Sequence, residues 1–209
     1  MGLLWSLLAS VSLPGCVGSL FTPKSSATVR SLGDDPVELI GTFQTVFYSH
    51  DELGTSFIIS DIPADELATG AFESGQVLHI ELLWLPKAGS TPVDRSATNA
   101  SIRYLIFADG QLGVYGGAGF ILPGGRVGKP KLSLNVRQAT LTLLESTPQF
   151  VDLLSPAEMV GKFTAILDPR QTRRLYFNLS QQVTNTLGKT RFVLGNDAQN
   201  PGRIAIAVP

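Results

Sequence analysis

Apolar and polar residues alternate with a period of two along much of the chain, which predicts strands with one buried face. The buried face predicted for residues 76–85 consists of Leu78, Ile80, Leu82 and Trp84. His79 and Glu81 lie on the other face of the same segment. Further along, Asp109-Gly110 separates two β-rich runs and is a strong signal for a tight hairpin turn. The run IAIAV at residues 204–208 predicts a closing strand.

The alternation changes phase inside residues 132–143. The phase before the change is set by Leu132, Leu134 and Val136. The phase after it is set by Ala139, Leu141 and Leu143. A β-bulge inserts one extra residue into a strand, so it would return both sets to a single face. We therefore predict a bulge near Arg137-Gln138.

Residues 168–187 break the alternation and predict a helix. Asp168 is a favourable N-cap, and Pro169 follows at the first helical position, where its missing N–H costs nothing. An apolar residue recurs every four positions, and Gly188 provides a C-terminal stop. The apolar stripe consists of Leu175, Leu179, Val183 and Leu187. Such a stripe needs a sheet face or a barrel flank to cover.

Two segments share a pattern. ELIGTFQTV (38–46) and EMVGKFTAI (158–166) both place a Gly three residues after a Glu and a Phe two residues after that Gly. One short echo is weak support for a duplication. We interpret both segments as strands with a Gly at a similar bend.

These patterns favour a mainly β fold over an α/β fold. We predict an antiparallel β-sandwich or flattened barrel, with one long amphipathic helix at about 168–187. The 21 Gly and 13 Pro agree with many turns, and 44% apolar residues exclude a disordered chain.

The charge of the chain excludes nucleic acid as a partner. The formal net charge is −1, so no long-range positive field surrounds the protein. The densest basic cluster consists of Arg170, Arg173 and Arg174. We interpret that cluster as a solvated face of the predicted helix.

The N-terminus carries an apolar run that ends at a cysteine. From Leu3 to Leu13 every residue is apolar or small and uncharged, which matches a signal-peptide core and is shorter than the roughly 20 residues of a membrane span. The run ends in Leu13-Pro14-Gly15-Cys16, which resembles the lipobox of bacterial lipoproteins. The resemblance implies cleavage before Cys16 and a diacylglycerol group on its thiol. Pro14 departs from the usual residue, and no Lys or Arg precedes the run.

The lipobox gives a domain organisation. It implies a signal peptide over residues 1–15, a lipid-anchored tether over 16–30 and a single β-rich domain over 31–209. The protein would then lie at the cell-envelope membrane and face the periplasm or the exterior. Two other interpretations remain. MGLLWS matches an N-myristoylation pattern on Gly2, and residues 3–13 could form a buried strand or a short helix.

The Gly-rich stretch 110–129 does not fit a phosphate-binding loop. Pro123 and Pro130 occupy the positions of the first Gly and of the Ser or Thr of that motif. We assign these glycines to hairpin turns and to close strand packing.

The histidines are the next candidates. His50-Asp51-Glu52 places an imidazole beside two carboxylates, a combination used in acid–base catalysis and metal binding. Neighbours in sequence point apart, however, and a strand gives way to a turn here, so we predict a solvated loop. His79 and Glu81 could form half of a metal site, but the exposed face of a half-buried strand is the simpler explanation for both residues.

The remaining polar signals are weak. Asp61, Asp65 and Glu66 predict a loop or a short helical turn and lack the order of a calcium loop. The sequons at Asn99 and Asn178 carry no meaning in a bacterial host. No nucleophile elbow is present, so we predict no catalytic residue, no metal ligand and no cofactor.

Three functions remain. The first is a non-catalytic envelope lipoprotein whose domain binds a protein partner or supports an assembly. The second is a carrier of an apolar small molecule, because the predicted order of strands and helix loosely resembles lipocalin-type barrels. That family has Gly-x-Trp where this chain has Gly-Thr-Phe at 41–43. The third is a hydrolase that uses scattered carboxylates, namely Asp51, Glu52, Asp61 or Glu81.

Overall fold

The computed structural model of the chain describes residues 25–52, 54–86 and 98–189. Several predictions lie outside these residues. They concern the signal peptide, Cys16, residues 16–24 of the tether and the closing strand at 204–208.

Strands dominate the described residues, as predicted. The elements are β1 (Ser25–Ser31), β2 (Glu38–Phe43), β3 (Thr45–Asp51), β4 (Gly54–Ser60), α1 (Ala64–Thr69), β5 (Gly75–Leu82), β6 (Ala100–Ala108), β7 (Gln111–Gly124), β8 (Lys131–Ser146), β9 (Ala157–Leu167) and α2 (Pro169–Leu187).

The strands form one sheet that closes on itself. Strands β3 to β9 form a closed ring, in which each strand pairs with the next one in sequence and β9 pairs back to β3. The pairing of β8 with β9 is antiparallel. The other edge of β9 pairs with β1, and its last residues pair with β3 in parallel through Phe47↔Ile166 and Tyr48↔Leu167. β2 pairs with the free edge of β1. The predicted mainly β fold, an antiparallel β-sandwich or flattened barrel with one long C-terminal helix, is confirmed.

Local signals placed the turn and the bulge correctly. Asp109 and Gly110 have φ angles of 51° and 74° and form a two-residue turn between β6 and β7. Positive φ at both positions matches the right-handed twist of the paired strands. In β8 the register with β9 shifts between Val136 and Ala139, and both of these residues are buried on the inner face. The bulge prediction at Arg137-Gln138 is confirmed.

The two echoing segments flank β1. Gly41 of β2 and Gly161 of β9 both lie opposite Ala27 of β1. A Cβ at Gly41 would lie 2.8 Å from Cζ of Phe43, and one at Gly161 would lie 3.0 Å from Cε2 of Phe163. Each glycine therefore leaves room for the phenylalanine ring two residues later, and the two rings meet edge to face at 5.6 Å. The prediction is confirmed for residues 158–166, which lie within β9, whereas residues 38–46 include β2 and the first residues of β3.

The closed sheet separates two apolar clusters. The inner cluster fills the ring, and its largest fully buried side chains are Tyr48, Phe57, Tyr104 and Tyr115. The outer cluster lies between the sheet and α2, where Ile58, Val77 and Leu105 meet the helix. Strands β4 to β7 contribute residues to both clusters, so they are buried on both faces over part of their length.

Helix α2 forms as the sequence predicts. The Asp168 side chain accepts a hydrogen bond of 2.9 Å from the Gln171 backbone N–H, and Gly188 ends the helix in the left-handed conformation. Leu175, Leu179 and Val183 are buried against the sheet, and Leu187 is partly buried.

Two sequence-based boundaries were wrong. Residues 25–30 were assigned to the tether, but they form most of β1, which is hydrogen-bonded to strands on both sides. Trp84 was placed on the buried face of a strand, but β5 ends at Leu82 and Trp84 is 42% exposed. Alternation of apolar and polar residues predicts burial only within a strand, and Trp84 lies beyond the end of β5.

Candidate functional site

A cleft of about 490 Å³ opens at the end of the sheet where α1 connects β4 to β5. Leu39, Ile106 and Phe107 give it apolar walls, and Asp61 and Glu66 give it two carboxylates. We call this region the acidic cleft. Its volume lies within the range of small-ligand pockets.

The chain that forms the cleft is held by side-chain hydrogen bonds to the backbone. The Thr45 hydroxyl donates to the Ile62 carbonyl at 2.8 Å, and the Ser60 hydroxyl donates to the Gln76 carbonyl at 2.9 Å. The Ile62 N–H in turn donates to the Ser60 oxygen at 3.0 Å. These bonds fix the segment that leaves β4 before α1 begins. The cleft is therefore built on a braced connection between strands.

A polar chain runs from the cleft into the inner cluster. The Gln76 N–H donates to Asp61 Oδ1 at 2.7 Å, and the Tyr104 hydroxyl donates to Gln76 Oε1 at 2.6 Å. Gln76 Oε1 would lie 2.9 Å from a Cβ at Gly41, so this glycine leaves room for the amide. These two hydrogen bonds hold Gln76 and one oxygen of Asp61 in place beside the cleft.

The electrostatics of the cleft favour a positive group. Its lining residues include two carboxylates and no Lys or Arg. Burial raises the pKa of Asp61, because a partly desolvated carboxylate is less stable, and backbone hydrogen bonds offset part of this effect. Burial also raises the pKa of Tyr104, and the nearby charge of Asp61 adds to that shift. A positive group beside Asp61 would favour the ionised carboxylate and so offset the cost of its burial.

His79 lies under α2 rather than on a half-exposed face. It is 3% exposed, and its ring lies 4.9 Å from the ring of Tyr176. The Ser56 hydroxyl and His79 Nε2 are hydrogen-bonded at 2.9 Å, and Glu81 Oε1 lies 4.0 Å from the same nitrogen. Burial, with a smaller effect from Arg103, lowers the pKa of His79 to about 3. The imidazole is therefore neutral at physiological pH.

This arrangement does not match a catalytic triad. A triad uses one imidazole nitrogen for the serine and the other for the carboxylate. Here Ser56 and Glu81 both approach Nε2. Tyr176 of helix α2 also packs against the imidazole ring, which is buried between the sheet and the helix.

The other sequence-predicted candidates do not converge. His50 is exposed, and its Nδ1 is hydrogen-bonded to the Thr55 hydroxyl at 2.9 Å. The predicted loop is wrong for His50 and Asp51, which end strand β3, and Asp51 Oδ1 accepts a hydrogen bond from the Gly54 N–H across the turn at 3.1 Å. Asp51 and Asp61 lie at opposite ends of β4. Of the four carboxylates considered for a hydrolase, only Asp61 lines the acidic cleft.

The sequence missed most of what makes the cleft. Glu66 was noted only as a member of a loop or short helical turn, which α1 confirms, and Asp61 was also considered as one of four scattered hydrolase carboxylates. Nothing in the sequence indicates that Gln76 and Tyr104 belong to a site, because the alternation pattern does not distinguish a polar strand residue that points inward from one that points to solvent. Leu39 was visible only as an apolar strand residue.

Within the described ranges, no group of three or more His, Cys, Asp or Glu side chains is placed to hold a metal ion. Neither helix of the described part of the chain is long and apolar enough to cross a membrane. No family model, curated protein or solved structure gives a match to the chain.

Proposed function

We propose that this protein is an exported bacterial lipoprotein, anchored through Cys16, whose non-catalytic β-domain binds a ligand through the acidic cleft. The observation that carries the binding function is the cleft itself, in which two carboxylates lie beside apolar walls. The anchor is supported by the apolar run that ends in LPGC. Incorporation of labelled palmitate by wild type and not by Cys16→Ser tests the anchor.

The ligand that fits the cleft has a positive group attached to a short apolar body. Asp61 and Glu66 would contact the positive group, and Phe107 and Leu39 would contact the apolar part. A lysine side chain of a protein partner has this chemistry, and so does a small amine. A ligand inside the ring would instead have to displace fully buried side chains such as Tyr48 and Phe57. This packing favours the cleft over a lipocalin-like interior site.

A carboxylate-dependent hydrolase is the second candidate, because Asp61 and Glu66 share a cleft and the pKa of Asp61 is raised. A raised pKa in a cleft is a feature of general acids. However, Asp61 Oδ1 already accepts the backbone N–H of Gln76, which gives that oxygen a structural role. The non-catalytic function therefore takes precedence.

Hexylammonium is a suitable probe for the cleft, and hexanoate has the same body with the opposite charge. We expect hexylammonium to shift the backbone NMR signals of residues around Asp61, and hexanoate to leave them unchanged. Asp61→Asn should weaken hexylammonium binding about tenfold, since a charge-assisted hydrogen bond contributes roughly 1.5 kcal/mol or more. Asp65→Asn is the matched control, because Asp65 is exposed on α1 and does not line the cleft.

Equal binding of the two probes, or equal loss in both variants, would rule out the acidic cleft as the binding site. Chromogenic glycoside, ester and phosphate substrates test the hydrolase. Turnover by wild type that Asp61→Asn abolishes would replace the binding function with catalysis.

A further inference from the structure

A second surface with the opposite charge lies on the outer face of β7, β8, β9 and β1. Two adjoining clefts of about 340 and 330 Å³ share Asn135 and Lys162. We call them together the basic groove. Arg137 at the bulge lines the first cleft, and Ser133 and Thr164 line the second.

The basic groove has two positive side chains and no carboxylate among its lining residues. The imbalance extends along the chain, because residues 110–144 contain four basic residues and no Asp or Glu. Lys162 and Arg137 are both exposed, and Lys162 lies opposite Asn135 on one side and Ser26 on the other. Cations beside hydroxyl and amide donors match the chemistry of a phosphate diester.

The tether would hold this groove near the membrane. Strand β1 begins at Ser25, the hydroxyl of which accepts a hydrogen bond of 3.1 Å from the Thr164 N–H beside the groove. Cys16 lies nine positions before Ser25. Nine residues span at most about 30 Å when fully extended. A lipid on Cys16 would therefore keep the groove within reach of the headgroups.

Exposed apolar side chains lie beside the groove. Val160 and Ile166 of β9 are each 48% exposed and lie on either side of Lys162 along the strand. Apolar side chains next to basic ones are typical of surfaces that contact the boundary between headgroups and acyl chains.

We propose that the basic groove binds the headgroups of anionic phospholipids when the domain is anchored at the membrane. The location of the groove at the membrane rests on the Cys16 anchor of the proposed function. Its affinity for an anionic bilayer does not, and the experiment separates the two.

The experiment uses residues 17–209, so that neither the apolar run 3–13 nor an acyl group on Cys16 contributes to binding. Sedimentation with vesicles measures the partition onto phosphatidylcholine alone and onto phosphatidylcholine with added phosphatidylglycerol. We expect binding only to the second kind, and less of it at high salt. Arg137→Ala with Lys162→Ala should weaken binding roughly 30-fold, about fivefold for each basic side chain.

Arg173→Ala with Arg174→Ala is the matched control, because it removes the same charge from exposed positions on α2. Equal losses in both double variants, or equal partition onto the two kinds of vesicle, would overturn the proposal. Displacement by free glycerol phosphate at the same concentration as the lipid would assign the groove to a soluble anion instead. Failure of wild type to incorporate palmitate would refute the anchor and leave the vesicle result to decide the groove.

Discussion

At the residue scale, a buried polar side chain takes the place of backbone hydrogen bonds between two strands. Asn99 is fully buried just before β6, and its amide donates to the Ile121 carbonyl at 2.8 Å and accepts from the Ile121 N–H at 2.7 Å. It therefore pairs with β7 as a strand residue would. The sequence marked Asn99 only as a sequon, because nothing local predicts that the side chain points into the protein.

His79 makes a residue-scale prediction about acid stability. Its pKa is 6.5 when unfolded and about 3 when folded, so between these values the unfolded state takes up a proton that the folded state does not. The free energy of unfolding should therefore fall as the pH drops below 6.5, by up to about 1.4 kcal/mol per pH unit from this group. Urea denaturation at several pH values measures the slope, and His79→Gln should reduce it.

Ser56→Ala is the control for the cause of this effect. It removes the hydrogen bond to Nε2 but leaves the imidazole under α2, so the slope should persist if burial is the main cause. An identical pH slope in wild type and His79→Gln would show that the imidazole is not buried as described.

At the scale of elements, helix α2 depends on docking more than on its own propensity. Short helices are marginal alone and gain most of their stability from a packed apolar face. Leu179 is fully buried in the outer cluster, whereas Gln181 is exposed. Leu179→Ala should lower the free energy of unfolding by about 2–5 kcal/mol. Gln181→Ala should change it by less than roughly 0.5 kcal/mol, as measured by denaturant unfolding.

Small and equal effects at Leu179 and Gln181 would mean that the helix is not docked.

The turn at Asp109-Gly110 and the bulge in β8 are the other elements that the sequence predicted correctly. Each depends on residues within a few positions of one another, so each was predictable before the partner strands were known.

At the scale of the whole molecule, β1 completes the sheet. It pairs with β2 on one edge and with β9 on the other, and Ala27 and Val29 reach the inner cluster. A chain that starts at Ser25 should fold with the stability of the full domain. A chain that starts at Leu32 would lack this strand and leave both neighbouring edges unpaired.

Circular dichroism during urea unfolding compares the two shortened chains. We expect a cooperative transition for the chain from Ser25 and none for the chain from Leu32. Matching midpoints would show that β1 is dispensable and that the sequence-based boundary at residue 31 was adequate.

The whole molecule also places its two candidate surfaces on neighbouring strands. Ser26, Ala27 and Thr28 of β1 line the basic groove, and Val29 of the same strand is paired with Leu39 of β2, which lines the acidic cleft.

The sequence by itself determined the elements whose signals are local. The period of two fixed the inner faces of β5 and β8, and the caps at Asp168 and Gly188 fixed both ends of α2. These features depend on backbone geometry and on neighbours within one turn or one strand, so residue order is enough to predict them.

Only the tertiary structure decided which residues of distant segments meet. The acidic cleft needs Leu39, Asp61 and Phe107 from three parts of the chain, and the burial of His79 needs a helix almost a hundred residues later. Strand β1 looked like a tether because its small and polar residues gain their burial from β2 and β9. Long-range pairing sets burial, and burial sets pKa and chemistry, so these properties follow from the closed sheet rather than from any single segment.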